Sequence, residues 1–288
     1  MSSIIPKISN LSNRVIRVLG CNPGHYTLQG TNTYILGTGK RRLLIDCGEQ
    51  NVPEYIQNLK KVLEDNLISL QKIILTHWHP DHVGGTKDIL NEAAEKDCKV
   101  YKFYDAEHDE SIKRDDYEFT YLEDNDEVSV EGANLKVFHT PGHSKDHLVI
   151  YLQEEKSLFS GDCILGEGTV VFEDLVTYLK SLSRISSIDP KKLYPGHGPV
   201  VEDPQAKIAE YVSKRMEREN QILEVLNRYQ DRYITLTEMV LIIYPNLPKA
   251  LRFGAQWNVL QHLDKLASES KVLKQDCDDH VATYKLLK

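Results

Sequence analysis

The segment Thr76-His77-Trp78-His79-Pro80-Asp81-His82 puts three imidazoles and a carboxylate within six residues, directly after the apolar run Ile73-Ile74-Leu75. A buried strand that runs out into such a cluster delivers polar side chains at its end, where α/β proteins keep their sites. Histidine nitrogen and aspartate oxygen are the donors a borderline cation such as zinc takes, at about 2.0–2.2 Å. A core has little use for three neighbouring imidazoles, because each would need its own buried partner. One histidine alone is more often structural than a ligand; the run His-x-His-x-Asp-His reverses that and reads as metal binding.

These four residues would leave a metal under-coordinated, so donors are expected at other strand ends. His143 follows the strand-like Leu135–Phe138 in His139-Thr140-Pro141-Gly142-His143-Ser144. Asp162 follows Leu158-Phe159 in Ser160-Gly161-Asp162, and His197 follows Lys192-Leu193 in Tyr194-Pro195-Gly196-His197-Gly198. Each has a glycine beside it that lets the backbone turn tightly. His77, His79 and His143 make one three-nitrogen site; Asp81, His82 and His197 make another; Asp162 is suited to bridge them. Seven donors are what a two-metal hydrolytic site needs, with two zinc ions about 3.5–4 Å apart sharing a hydroxide available near neutral pH. Asp81 is placed both to bind one metal and to orient that hydroxide, which makes it the candidate catalytic residue. His139 and His147 lie near the cluster without being needed as ligands, so each is either an outer support or a satisfied structural histidine. Trp78 reads as packing and Pro80 as a stiffener of the turn, while His25, His108, His262 and His280 have no ligand-like context.

The elements that must hold these donors follow from periodicity. Strands are expected at 15–19, 33–37, 42–46 and 72–76, with a helix over 53–65 from Ile56, Leu59, Val62 and Leu63 and another opening at Gly84-Gly85. Residues 104–126, rich in Asp105, Glu107, Asp109, Glu110, Asp115, Asp116 and Glu118, read as a solvated loop. Hairpins are expected around Glu131-Gly132 and Glu154-Glu155-Lys156, a helix over 173–183 and a short strand at 192–194. Hairpins and alternating helices together predict an α+β fold, with a mixed sheet or two sheets and helices outside. From Pro204 the texture changes. Helices over 205–229, 236–243 and 249–267 and a hairpin from Val272-Leu273 to Val281–Leu287 outline a small winged-helix-like module, dividing the chain into 1–204 and 205–288.

At 288 residues the chain can bury a large core plus an appendage. A net charge of −8 disfavours a globally basic nucleic-acid binder, so any polyanion must meet a local patch. Cys21, Cys47, Cys98, Cys163 and Cys277 are odd in number and scattered, which argues for a reducing compartment over a disulfide framework. No run approaches the roughly 20 apolar residues of a membrane span. The acid-poor start with Ser2, Ser3, Lys7, Ser9, Ser12, Arg14 and Arg17 has the composition of a transit peptide, although Val15–Leu19 reads better as the first core strand.

The ordered set His-x-His-x-Asp-His, His143, Asp162, His197 resembles the metallo-β-lactamase superfamily over residues 14–204. The resemblance implies an αββα sandwich with a dinuclear zinc site at the sheet ends, and all seven donors match its ligands by position. Asp162 stands where the true β-lactamases use Cys, and His82 where they carry another residue, which speaks against antibiotic hydrolysis. Asn22-Pro23-Gly24, Gln29–Tyr34, Gly168–Leu175 and the C-terminal module look like the β-lactamase-like protein 2 group. That closer resemblance implies a zinc-dependent endoribonuclease on single-stranded RNA, in the mitochondrial matrix in animals and otherwise cytoplasmic. A glyoxalase II-like thioester hydrolase uses the same seven donors and is the alternative. A non-catalytic metal-stabilised module is weaker, because structural zinc takes four closed ligands, usually with Cys. No long insertion separates Asp162 from His197, which excludes the large nuclease subfamilies carrying a domain there. Lys207, Lys214, Arg215, Arg218, Arg228, Arg232, Lys249, Arg252 and Lys265 with Tyr211, Tyr229, Tyr233, Phe253 and Trp257 supply the phosphate-plus-stacking mixture that single strands use. Glu210, Glu217, Glu219 and Glu224 equally suit a salt-bridged helix face.

Overall fold

The computed structural model describes residues 4–112, 117–276 and 282–287; Ser2, Ser3, Asp115, Asp116, Cys277, His280 and Val281 lie outside them. Strands β1 (Ile8–Asn10), β2 (Val15–Leu19), β3 (Asn32–Leu36), β4 (Arg41–Ile45), β5 (Ser69–Ile74), β6 (Ala94–Phe103) and β7 (Phe119–Leu122) form one sheet in sequential order. Its first four strands pair antiparallel, and β4 to β7 pair parallel. Strands β8 (Glu127–Val130), β9 (Ala133–His139), β10 (Leu148–Leu152), β11 (Ser157–Gly161) and β12 (Lys192–Pro195) form the second sheet, antiparallel except for the β11–β12 pair. The two expected hairpins close at Val130↔Ala133 and Leu152↔Ser157.

Side-chain alternation explains the stacking. In β3 and β4, Tyr34, Leu36, Leu43 and Ile45 enter the core between the sheets, while Ile35 and Leu44 enter the core on the outer face. Both faces are apolar, so both need cover. Helices α1 (Pro53–Asp65), α2 (Pro80–Val83) and α3 (Thr86–Glu92) lie in the first half of the chain, and α1 buries Tyr55, Ile56, Leu59, Val62 and Leu63 on the first sheet's outer face. Helix α4 (Asp109–Ile112) is a single turn. Helix α5 (Leu175–Ile188), capped by Asp174 accepting from Thr177 N at 2.6 Å, covers the second sheet. The result is the αββα sandwich.

Helix α6 (Pro204–Arg228) begins with a proline that needs no hydrogen bond at its first position and with Asp203 as cap. Its first half packs Ile208 and Tyr211 into the sandwich core, and Ile222, Val225 and Leu226 enter a separate C-terminal core. One helix therefore runs through both. That second core holds α7 (Leu236–Ile243), opened by a Thr235–Glu238 capping box, and α8 (Arg252–Ser268). A small antiparallel sheet, β13 (Ile234–Thr235), β14 (Val272–Asp276) and β15 (Ala282–Leu286), completes the winged-helix module.

The structure corrects the reading of three segments. The expected helix over 249–267 is broken, because a 3-10 turn at Lys249–Leu251 precedes α8. Strand β6 was not foreseen, since its first half carries Glu95, Lys96, Asp97 and Lys99 and shows no alternation. Nor is 104–126 one solvated loop. It contains α4 and β7, and Asp105 and Asp109 are buried. The cause is Lys102, which is fully buried and pairs with Asp109, with Asp146 Oδ2 at 3.4 Å and with the Phe103 carbonyl at 2.6 Å. Asp109 from the apparently solvated run, and Asp146 from outside it, are thus committed to an interior cation. Replacing Lys102 by Met would leave the carboxylates of Asp109 and Asp146 buried without a counter-charge, at a cost of about 3–5 kcal/mol. Denaturant titration of K102M should show that loss, and a midpoint shift worth under about 1 kcal/mol would contradict it.

Candidate metal centre

The seven donors come from four strand ends and meet at the edge where both sheets open. Strand β5 delivers His77 and His79 and leads into α2, which carries Asp81 and His82; β9, β11 and β12 deliver His143, Asp162 and His197. Two glycines make this close approach possible. Gly161 sits in the left-handed region at φ +46° with its Cα facing His147, and a Cβ on Gly196 would lie 2.4 Å from Asp162 Oδ1.

Two groups of donor atoms result. His77 Nε2, His79 Nδ1 and His143 Nε2 lie 2.9, 3.0 and 3.3 Å apart. His82 Nε2 and His197 Nε2 are 3.3 Å apart, and Asp81 Oδ2 is 3.3 Å from the first and 3.1 Å from the second. Asp162 lies between the groups, with Oδ1 3.4 Å from His82 Nε2 and Oδ2 3.4 Å from His197 Nε2 and 3.9 Å from His143 Nε2.

The outer ring nitrogens decide what the inner ones can do. His143 Nδ1 donates to Val171 O at 2.7 Å, and His82 Nδ1 to Asp46 Oδ2 at 2.8 Å. His77 Nδ1 faces Thr76 Oγ1 at 3.0 Å, and that hydroxyl itself donates to Asp46 Oδ2 at 2.9 Å. His197 Nδ1 faces Gly30 O at 3.4 Å. With the outer nitrogens holding the protons, the inner nitrogens of neutral rings are lone pairs aimed at one another. Among the described residues no hydroxyl or carboxylate is placed to satisfy all three of His77, His79 and His143. A cation does, and three donor groups among these residues, His77-His79-His143, His77-His82-Asp162 and Asp81-His82-His197, are able to hold divalent metal ions.

Charge follows the same pattern. Burial, reinforced by the imidazoles around them, drives His77 well below its ordinary value and His79 down to about 3. Burial also lowers His143. Burial would lower His82 and His197 too, but Asp81, Asp46 and Asp162 raise His82 well above its ordinary value, and Asp162 with Asp81 raises His197 to about 9. Burial alone would raise Asp81 and Asp162; the His82 and His197 imidazolium charges hold both below the carboxylate range.

Several contributors were not legible from the sequence. Asp46 ends β4 at φ +60°, a left-handed conformation rare outside glycine, and there accepts from Thr76 N at 2.8 Å besides orienting His82. Asn22 Oδ1 accepts from Thr31 N at 2.9 Å, and Thr31 Oγ1 donates to Asp81 Oδ2 at 3.3 Å. His147 accepts from Asp162 N at 3.1 Å and faces Thr140 Oγ1 at 3.0 Å, so it supports Asp162 between the two donor groups. His139 stacks on Phe103 at 3.9 Å away from the donors. His108, set aside on sequence, stacks on Trp78 at 3.7 Å, and His25 lines the mouth of the site without joining the donors. His262 bonds Asn258 O within α8.

The donors floor a cleft of about 680 Å³. Its walls include Tyr26 and Leu28 on one side, Val171 and Glu173 on another, and Phe253 and Trp257 from α8. Part of the basic and aromatic mixture expected on the C-terminal module is structural instead. Tyr211 is buried, and Arg215 is buried over the Phe172 ring at 4.6 Å with Nη2 donating to Val170 O. Lys265 pairs with buried Glu219 at 2.6 Å, and Lys207 and Lys214 both pair with Glu210. Lys249, Arg252 and Phe253 are exposed, and Phe253 lines the cleft.

Residues 26–197 match the Metallo-beta-lactamase superfamily and residues 235–280 the Beta-lactamase associated winged helix domain. A Beta-lactamase-like protein 2 homolog of Drosophila melanogaster is 46% identical over 286 residues, covering 98% of each chain. An atrochrysone carboxyl ACP thioesterase of a Cryptosporiopsis species is 40% identical over 225 residues, 78% of this chain and 66% of its own. A beta-lactamase domain protein from Burkholderia ambifaria superposes with a TM-score of 0.80 at 18% identity, over 97% of this chain and 93% of that one, a likeness of fold.

Two outcomes follow from the donor geometry. In the metal-free protein His197 and His82 hold protons at neutral pH, so metal uptake must displace them. Zinc titration calorimetry at pH 7 in buffers of different ionisation enthalpy should show release of about one proton or more, with affinity climbing up to about pH 9 as His197 deprotonates unaided. Zero release would contradict the charge state. Replacing Asp46 by Asn keeps a side chain that tolerates the left-handed backbone but removes the carboxylate behind His82. Chelator competition should show metal retention weakened about 10- to 100-fold in D46N.

Proposed function

The chain belongs to the metallo-beta-lactamase superfamily, whose members are generally metal-dependent hydrolases, and from that premise we propose that it is a zinc-dependent endoribonuclease acting on single-stranded RNA. The observation that carries this reading is the pairing of a two-group donor floor with exposed rings at the rim. Tyr26 is 76% and Phe253 77% exposed, both line the cleft, and Arg252 and Lys249 are exposed next to Phe253. Aromatic platforms with adjacent cations are what a single strand needs for base stacking and phosphate neutralisation. The whole-chain resemblance set out above implies the same substrate.

On this reading His77, His79 and His143 would hold one metal, Asp81, His82 and His197 the other, and Asp162 would contact both. Two divalent metals supply Lewis acidity toward the phosphoryl oxygens and activate a water at neutral pH. The chain's own residues do the rest. Asp81 is fixed by Thr31 and by two imidazoles, so its carboxylate keeps one orientation toward the cleft and orients the attacking water. His143 and His82 are held in one tautomer by Val171 O and Asp46. Phe253 and Tyr26 hold bases and keep the scissile phosphate over the floor.

A second reading has its own support. Leu165, Val170, Val171, Phe172 and Leu28 make much of the wall apolar, and one relative carries the name of an acyl-carrier-protein thioesterase. An acyl thioester hydrolase would use the same donors against a carbonyl. Zinc-loaded protein should therefore be offered a single-stranded RNA oligonucleotide and an acyl thioester side by side, with and without chelator. Cleavage of the RNA to fragments with 5′-phosphate and 3′-hydroxyl ends, abolished by chelation, is the expected result. Cyclic 2′,3′-phosphate ends would contradict a water nucleophile, and turnover of the thioester alone would favour the second reading. Phe253→Ala should raise KM for RNA about tenfold with kcat little changed, the size of one lost stacking contact.

A further inference from the structure

The stretch Gly168–Leu175 has so far supplied only a wall. Its backbone is tied to the His143 turn at three points: Val171 O accepts from His143 Nδ1 at 2.7 Å, and Gly142 O accepts from Glu173 N at 2.7 Å and from Asp174 N at 3.2 Å. Phe172 between them is buried, stacked on Tyr178 at 5.4 Å and covered by the Arg215 guanidinium. Val171 and Glu173, on either side of it, line the cleft together with His79, His143 and Asp162. Glu173 thus belongs to a segment tied to the His143 turn, and it lines the same cleft as the donors His79, His143 and Asp162. The cleft's other glutamate outside the donor set, Glu167, is exposed, whereas Glu173 is partly buried.

Hydrolysis of an RNA phosphodiester needs a second proton movement that Asp81 does not provide. The departing 3′-oxygen would leave as a strongly basic alkoxide, and a positioned acid lowers that barrier. Resting on the ribonuclease reading, we propose that Glu173 is this acid and donates its proton to the departing 3′-oxygen. Water forms the new P–O bond and releases one proton to solvent. The P–O3′ bond breaks with its electron pair going to oxygen, and the Glu173 proton completes the 3′-hydroxyl. Glu173 is left as carboxylate and is reprotonated from solvent as products leave.

The surroundings suit the role. Burial raises the proton affinity of Glu173, and Asp146 and Asp105 add to it, while His108 and Lys145 oppose it. His108 is tied to Asp105 at 2.8 Å and Lys145 is ion-paired with Glu107. An acid of raised affinity is closer to the working pH than an ordinary glutamate, which is where proton donation is most effective.

The test compares zinc-loaded wild type with Glu173→Gln and Glu173→Asp on two substrates, single-stranded RNA and the p-nitrophenyl ester of thymidine 5′-phosphate. The second has a leaving group that needs no proton. Glu173→Gln should lose about 10²- to 10³-fold in kcat on RNA, within the range for general acids. It should lose the fall in rate at alkaline pH, keep p-nitrophenyl turnover within about threefold, and retain its zinc content and unfolding temperature. Glu173→Asp should recover part of the RNA activity. Equal losses on both substrates, an unchanged RNA rate, or a retained alkaline limb would overturn the assignment. If wild type turned over neither diester but hydrolysed the thioester, the ribonuclease reading would fall and take the proposal with it.

Discussion

Lone pairs that face one another without a proton between them are the constraint on which this molecule is built. His77 Nε2 and His143 Nε2 are 3.3 Å apart, each on a ring whose other nitrogen is already engaged. A flexible chain would relieve such an arrangement by turning a ring. Here the rings are buried and the backbone at each strand end is fixed by sheet pairing, so the arrangement persists. Three cores, one between the sheets and one outside each of them, hold the strand ends still. Rigidity of that kind is what turns scattered donors into a preorganised site.

The outer residues are as much part of that constraint as the donors. Asp46 joins Thr76 and His82, so the strand end before the His-rich turn and the turn itself share one carboxylate. It accepts a left-handed backbone to do so. His147 ties Asp162 back to β10, and Val171 ties His143 to the loop that forms the cleft wall. Metal affinity and cleft shape are therefore not independent properties: the same carbonyl that fixes the His143 ring fixes the position of Val171 and Glu173.

The donors were legible because their signal is local. An apolar run, a polar residue at its end and an adjacent glycine can be seen at 77–82, 143, 162 and 197 without knowing which strands pair. The sandwich was legible for the same reason, since β3, β4 and α1 declare their periodicity. Asp46 and Glu173 carry no comparable mark. Each acts through a neighbour distant in sequence, and only the fold brings Asp46 to His82 or α8 to Phe172. The charged run from Asp105 misled because solvation and interior pairing look alike in composition; Lys102 is the partner that decides, and a single buried lysine leaves no pattern. Arg215 and Tyr211 misled in the opposite sense, since a basic and aromatic helix face served packing.

That last case explains why the C-terminal module is fused to the sandwich. Arg215 lies over Phe172 at 4.6 Å, and Trp257 Nε1 donates to Phe172 O at 2.7 Å. The module thus grips the backbone and side chain of the residue between Val171 and Glu173. A cation over an aromatic face gains in strength when both are withdrawn from water, as Arg215 and Phe172 are. The helix that carries Arg215 also runs through both cores, so the module cannot shift without moving the wall loop. The cleft-lining rings at 253 and 257 and the donor-bearing turn at 143 are consequently coupled through one short segment. A module attached only as a binding appendage would not need that grip. Its contacts with Phe172 make it a structural wall of the cleft, and its exposed Phe253 belongs to that wall.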